Sequence, residues 1–391
     1  MKILHLTTFL QGGAGRIIVE LAREQQRLGH EVTVVASRRG VAGYGNDEEY
    51  IETLSSLGIP ARLVSSTVER SHSRTIAAVT AINRLLVAER EPDVIHSHAA
   101  VPSLIALLLA GVRRTPIGVI QTMHGWGQTT TAEQAATDVG VLNRVDRVAV
   151  PSSYWATLLA DLGVQPSQIV IVPYGVPARA RGLSEADEAT WIAMTRARRA
   201  GRPVIVSIGT RGPRQNHFLL VEALARLHHM NPLCVFVGEG DDRLLRQVVE
   251  QRGCETRVRI HGDSRAARAL AAGADLLVLP SRSEGEPISV LEAFCDGLLV
   301  ATSDGPELVE LVDDGVTGFR FRLDDAQSLA DTLTRVACLS NSGRRAIRGA
   351  ARDQYTANFT LTRMVERYGQ LYGHLRGQQP QPTRRIAQSA A

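Results

Sequence analysis

Two carboxylates in this chain could do chemistry together. Glu284 and Glu292 are separated by seven residues within P-S-R-S-E-G-E-P-I-S-V-L-E-A-F-C-D-G. The apolar run Asp275-Leu276-Leu277-Val278-Leu279 has strand character, and Pro280, Ser281 and Gly285 turn it into a loop. Pro287 stands where a helix would begin, a position at which its missing N–H costs nothing. Ile288, Leu291 and Phe294 recur at helical spacing and give that helix an apolar face. Glu284 is therefore expected in the loop, and Glu292 about a turn and a half into the helix. A helix start at Glu286, Pro287 and Ile288 would aim free N–H groups and the positive dipole end outward, an arrangement that holds phosphate. Carboxylates touching a diphosphate would be repelled, but beside one they can accept hydrogen bonds from hydroxyls. Sugars and ribose present hydroxyls next to a diphosphate, so the pattern implies a nucleotide-sugar site.

Other candidates carry less by themselves. Val237-Gly238-Glu239-Gly240-Asp241 places Gly-x-Gly between a strand and a helix, where a simple turn and a phosphate-side loop both fit. Gly12-Gly13-Ala14-Gly15 follows the first apolar strand and opens a helix marked by Ile17, Ile18, Leu21 and Leu28. Here too a tight turn and a phosphate approach by Gly12 and Gly13 both remain open. No GxGxxG occurs, and no Walker A motif is possible without a Lys after Gly. His124-Gly125 falls at the carboxyl end of a strand, where open α/β sheets bind ligands; a hydrogen-bonded structural histidine is the alternative. His96 and His98 alternate on another strand and are not read as a metal pair. No DxD flanked by apolar residues appears, so no metal is expected.

Positioning these residues takes an alternation of strands and helices. The first strand, the Gly-rich turn, its helix and the strand E-V-T-V-V-A form a β-α-β unit, which argues for a parallel, doubly wound sheet. Further strands are expected at Arg62–Ser65, P-D-V-I-H-S-H, I-G-V-I-Q-T-M-H-G-W, Arg147–Pro151 and Ile169–Pro173, with helices over Arg74–Glu89 and from Val101. Arg179 to Pro203 lacks strand character and reads as a linker plus a surface helix around Glu185–Arg199. The alternation then restarts with V-I-V-S-I-G, a helix over Phe218–His229, L-C-V-F-V-G, a helix from Asp242, R-V-R-I-H-G, D-L-L-V-L-P, L-L-V-A and G-F-R-F. The expected organisation is a first domain over 1–178, a linker over 179–203, a second domain over 204–355, a last helix over 356–376 and a disordered tail over 377–391. At 391 residues, two domains also suit the length.

The motif E-G-x-P-[IL]-x-[VL]-L-E-A-[FM], set between D-L-L-V-L-P-S and A-T-S-D-G-P-E-L-V-E-L-V-D-D-G-V-T-G-F, resembles the signature of retaining glycosyltransferases of family 4, the group 1 transferases. The resemblance runs to about residue 375 and implies an α/β fold of the GT-B type: two Rossmann-like doubly wound parallel-sheet domains facing an interdomain cleft. It implies an enzyme of hexosyltransferase type using a UDP- or GDP-sugar, with no cofactor and no metal. By the same resemblance Glu292 receives the ribose hydroxyls, Glu284 holds the donor sugar, His124 contacts it, and Gly238 lies on the nucleotide side. The last helix would cross back to the first domain. One departure stands out. The loop Gly209-Thr210-Arg211-Gly212-Pro213-Arg214-Gln215-Asn216-His217 is similar to the family's G-R-x-x-x-x-K-N-H, yet Thr210 and Gln215 occupy the Arg and Lys positions that neutralise the diphosphate. Arg211 and Arg214 each sit one residue away and are the candidate substitutes, since a guanidinium can grip phosphate oxygens.

Composition narrows the partners. Hydrophobic residues at 44% and charged residues at 21% describe a globular chain, and the longest apolar run, Val101 to Val112, is too short to span a bilayer. No leader-peptide cleavage site is expected. Cys234, Cys254, Cys295 and Cys338 are scattered, which reads as reduced, buried thiols in a cytoplasmic protein. The net charge is +4, but nine Arg against Asp353 and Glu366 fall in 344–391. The remainder is slightly acidic and gives nucleic-acid binding no support. The basic end could touch anionic lipid at the inner membrane face as a peripheral contact, or be a solvated helix face. The acceptor is expected to be a glycan or lipid-linked sugar of bacterial surface polysaccharide or lipopolysaccharide synthesis. Two alternatives remain open: a GT-B sugar-nucleotide epimerase, and a catalytically weak scaffold that binds a glycan or partner.

Overall fold

The computed structural model describes residues 1–40, 45–88, 90–113, 115–125, 130–178, 182–227, 229–262 and 267–377. These residues group into two compact units. The first comprises Met1–Val150, Leu158–Val172 and the chain from Val365; the second comprises Pro151–Thr157 and Pro173–Met364. The tail expected over 377–391 lies outside the described residues except for Gly377, as do 179–181 at the start of the expected linker.

The first unit alternates β1 (Lys2–Leu6), α1 (Gly12–Arg27), β2 (Glu31–Ser37), α2 (Glu48–Ser56), β3 (Ala61–Val64), α3 (His72–Ala88), β4 (Val94–Ser97), α4 (Ala100–Gly111), β5 (Gly118–Thr122), α5 (Ala132–Leu142), β6 (Arg147–Val150), α6 (Ser153–Asp161, which groups with this unit only from Leu158) and β7 (Ile169–Ile171). The strands form one seven-stranded sheet in the order β3-β2-β1-β4-β5-β6-β7, and every pairing is parallel. Runs such as V-T-V-V-A are apolar without alternation because helices cover both sheet faces, so side chains on both sides are buried. The register sets His5 of β1 beside His96 of β4. The β1–α1 turn needs its glycines: Gly12 has φ +55, and a Cβ on Gly15 would lie 2.7 Å from the carbonyl carbon of Leu10.

The second unit contains α7 (Glu185–Arg199), β8 (Val204–Ile208), α8 (His217–Ala225), β9 (Leu233–Val237), α9 (Arg243–Gln251), β10 (Val258–His261), α10 (Ala267–Ala271), β11 (Leu276–Leu279), α11 (Ile288–Asp296), β12 (Leu299–Ser303), α12 (Pro306–Leu311), β13 (Phe319–Phe321), α13 (Ala326–Ala337) and α14 (Asn341–Asn358). Its six strands are again parallel, in the order β10-β9-β8-β11-β12-β13. Both sheets reverse winding direction next to the first strand of their unit, and β-strand carboxyl ends at such a switch point are where doubly wound folds bind ligands. The last helix, α15 (Leu361–Gly377), begins in the second unit and continues in the first from Val365. Among the described residues no helix is long and apolar enough to cross a membrane.

Three local expectations are corrected. The helix expected to reach His229 ends at Ala225, because Arg226 and Leu227 already close tighter turns onto Ala223 and Leu224. Pro287 is the N-cap of α11 with extended backbone (φ −75, ψ 102), not its first helical residue. Cys338 is exposed, since it lies just past the end of α13, whereas Cys234, Cys254 and Cys295 are buried.

Candidate functional site

In the second unit the loop from Pro280 to Pro287 joins the carboxyl end of β11 to the start of α11. Trp155 Nε1 donates to the Gly285 carbonyl at 3.1 Å, and the Tyr174 N–H donates to the Glu286 carboxylate. The carboxylate of Glu286 is thus engaged with backbone, and only the main chain of Glu286, Pro287 and Ile288 remains as the donor-binding candidate. Val290 and Leu291 N–H groups return to the Pro287 carbonyl, which closes the first turn of α11.

Glu284 lies 3.1 Å from Arg214, whose Nη1 donates to Glu284 Oε2. Burial raises the carboxyl of Glu284 above the usual range, and the Arg214 charge pulls against that rise. Glu307 of α12, which the sequence reading did not single out, is also buried and raised, in part by the charge of Glu284. Its motif D-G-P-E could have flagged it, as an acid directly behind a helix-starting proline.

The two candidate cations have different fates. Arg211 is turned inward: Nη1 donates to the Gly209 carbonyl at 3.1 Å, and Nη2 to those of Phe236 and His261 at 3.3 and 3.1 Å. Burial lowers its pKa. Arg214 stays 41% exposed and faces Glu284. The Gln215 amide oxygen accepts from Arg214 Nη2 at 2.8 Å, so the glutamine standing in place of a lysine orients the neighbouring arginine. Thr210 is exposed.

Gly238 has φ +144, and a Cβ there would collide with the carbonyl oxygen of Gly209. The loops after β8 and β9 therefore touch backbone to backbone, a contact only glycine permits. Glu292, on α11, is buried. It lies 3.7 Å from Arg268 of α10, which also binds Asp296 bidentately at 2.7 Å. Burial works to lower the Arg268 pKa, but Asp296 and Glu292 raise it on balance. Glu292, Arg268, Ser289, Asp296, Arg198 and Arg348 line one concavity of this unit.

The first unit holds the other candidates. Gly12 and Gly13 form the exposed first turn of α1. His124 follows β5 and its Nε2 lies 3.0 Å from His98 Nδ1. Burial pushes the His124 pKa down to about 4. Here the sequence reading missed a partner, His5, whose strand buries a titratable ring in an otherwise aliphatic run. His5, His96 and His98 offer ring nitrogens within 4.8 Å of one another. They do not aim at one point, however. The His96 and His98 ring centroids are 4.3 Å apart at 30°, so the rings overlap, and an imidazole lone pair lies in its ring plane.

Residues 11–179 match the family described as Glycosyltransferase Family 4, and residues 194–353 match Glycosyl transferases group 1. Glycogen synthase of Mycobacterium tuberculosis is 25% identical over 408 residues, covering 97% of this chain and 95% of that one. An Escherichia coli UDP-Gal:alpha-D-GlcNAc-diphosphoundecaprenol alpha-1,3-galactosyltransferase is 22% identical, covering 73% and 76%. Among solved structures, Anabaena Alr3699/HepE in complex with UDP-glucose superposes with a TM-score of 0.80 at 18% identity, covering 96% of this chain and 100% of that one.

Proposed function

Because this chain belongs to the GT-B glycosyltransferases, with family 4 and group 1 domains in tandem, we propose that it transfers a sugar from a nucleoside-diphosphate sugar to an acceptor hydroxyl with retention of anomeric configuration. The observation that carries this reading is the Arg214–Glu284 pair beside the start of α11. A cation, an acceptor carboxylate and a helix N-terminus there match a sugar diphosphate part by part.

In the proposed reaction, Arg214 and the α11 N–H groups stabilise the charge that develops on the departing diphosphate. Glu284 holds donor-sugar hydroxyls and Glu292 receives the ribose. The leaving phosphate takes the acceptor's proton, so the protein contributes positioning and charge stabilisation rather than a dedicated base. No metal is required in this scheme. UDP- or GDP-sugar is the proposed donor, and a surface polysaccharide or lipopolysaccharide intermediate on a lipid carrier is the proposed acceptor, at the cytoplasmic face of the membrane. The kind of relative supports the acceptor class: one is named for a diphosphoundecaprenol acceptor, and another for lipopolysaccharide core synthesis.

The test is a panel of nucleotide sugars, with and without lipid-linked acceptors, read by mass spectrometry and by NMR of the anomeric proton. Donor-dependent product with the starting anomeric configuration is expected. Inversion would overturn retention, and epimerised donor without acceptor would favour the epimerase reading. No turnover of any donor would leave a binding scaffold.

A further inference from the structure

Where the chain enters the second unit, residues 173–178 lie between β7 and α7, outside both sheets. Their backbone groups must find partners other than a strand ladder. The Val176 N–H donates to the Phe359 carbonyl at 2.9 Å, and the Val176 carbonyl accepts from the Leu361 N–H at 3.2 Å and the Tyr355 hydroxyl at 3.0 Å. Gly175 lies so close to this partner segment that a Cβ on it would overlap the Thr360 carbonyl oxygen. The next carbonyl, that of Pro177, accepts from Arg268 Nη1 at 2.6 Å.

Arg268 is the side chain at which this entry segment meets Glu292. Its Nε and Nη2 fork onto Asp296 at 2.7 Å each, while Nη1, which donates to Pro177, lies 3.7 Å from Glu292 Oε1. Glu292 and Asp296 are four residues apart on α11 and so share a face. The guanidinium is thus pinned to the last turn of the helix and to the entry segment, and presents its charge to the turn nearer the helix start. At 3.7 Å the contact with Glu292 is charge attraction rather than a hydrogen bond. It draws the carboxylate to one place without using up its acceptor capacity of about four lone-pair sites. Arg268 and Glu292 are each only 5% exposed, and with Ser289 they line a cavity of about 250 Å³.

We propose that Arg268 is a positioning residue for nucleotide recognition: anchored on Asp296 and on the Pro177 carbonyl, it fixes where the Glu292 carboxylate meets the ribose hydroxyls. The preference of the site for a ribonucleotide over a deoxyribonucleotide then depends on an arginine that does not touch the ribose. The proposal rests on the transferase reading for what Glu292 binds. Asp296, the last residue of α11, acts only by holding the arginine. Lysine is no equivalent here, because a point charge on a flexible stem cannot fork onto Asp296, reach Pro177 and face Glu292 together.

Calorimetry on the full chain tests this without an acceptor. Affinities are measured for UDP and GDP, for the same nucleotides lacking one ribose hydroxyl, and for inorganic pyrophosphate. In the wild type, losing a hydroxyl that bonds a carboxylate should weaken the preferred nucleotide about tenfold or more. Arg268→Lys and Asp296→Asn should each remove most of that ratio while leaving pyrophosphate affinity unchanged. The first keeps the charge and the second keeps the contact with Glu292, so neither strands a buried carboxylate; if the lysine variant fails to fold, Asp296→Asn decides alone. A wild-type ratio in the folded variants would overturn the proposal. So would a parallel loss of pyrophosphate affinity, which marks a general loosening of the unit. Glu292→Gln separates the two readings. If it leaves the ratio unmoved, the ribose assignment of the transferase reading fails and the proposal with it. If it abolishes the ratio while the Arg268 and Asp296 variants keep it, the positioning proposal alone is wrong.

Discussion

Arg214 and Glu284 form an ion pair, with Nη1 3.1 Å from Oε2, and the carboxylate is the more buried partner at 13% exposure against 41%. The guanidinium is held from its other side by Gln215.

Arg214→Ala should lower kcat/KM by roughly 100-fold or more, the scale of a lost charge stabiliser at a developing anion. Its cost in stability should stay modest, about 1–2 kcal/mol, because Arg214 itself is 41% exposed although Glu284 loses its counter-charge. Arg211→Ala should do the reverse. Three carbonyls each lose a hydrogen bond from the guanidinium, costing about 1–3 kcal/mol in urea unfolding. Equal activity losses in two equally stable variants would refute this division of labour.

Glu284→Gln should weaken donor use by about 10–100-fold, a charged hydrogen bond of roughly 1.5–3 kcal/mol. Its stability should run the other way. The folded pKa is raised, so the folded state binds more protons than the unfolded state just above the ordinary glutamate value of 4.5. Wild-type stability therefore falls as pH rises through that window. The glutamine variant escapes this fall. At pH 7 it should melt no lower than wild type, and the gap should close below pH 4.5. A variant markedly less stable at pH 7 would contradict the assignment.

The buried histidines make the opposite pH prediction. With folded pKa values depressed, the unfolded chain takes up protons first as pH drops below 6.5, so acid destabilises. His5 alone, at about 4 in the fold, accounts for roughly 3 kcal/mol lost between pH 6.5 and 4. Denaturant melts at pH 7, 5.5 and 4.5 should show this progressive loss, and His5→Gln should flatten it.

Gly238→Ala should be poorly folded or inactive. It combines a φ of +144 with a Cβ that overlaps the Gly209 carbonyl. The strain costs on the order of 1–3 kcal/mol before any clash. Gly201→Ala, also at positive φ but in open space, is the control and should lose only the strain.

Arg268→Ala should destabilise the second unit by about 3–5 kcal/mol, because Glu292 and Asp296 would lose their buried counter-charge. Arg268→Ala with Asp296→Ala should recover part of that loss in a double-mutant cycle. Additive losses would mean that the pair does not couple.

The alternating apolar runs determined that strands and helices follow one another and that the sheets are parallel, because burial on both faces leaves a periodic signature any stretch of sequence displays. The Glu284 loop and the start of α11 were legible for the same reason: proline, glycine and helical spacing act locally. Tertiary structure alone decided which arginine faces Glu284. Arg211 and Arg214 are alike in type and symmetric about the missing cations, and only the carbonyls of Phe236 and His261, 25 and 50 residues away, draw Arg211 inward. The histidine chain was hidden likewise. His5, Gln25, His98, His124 and Tyr372 share no motif, and they form one chain only because hydrogen bonds of 2.7–3.0 Å join five separate segments pair by pair.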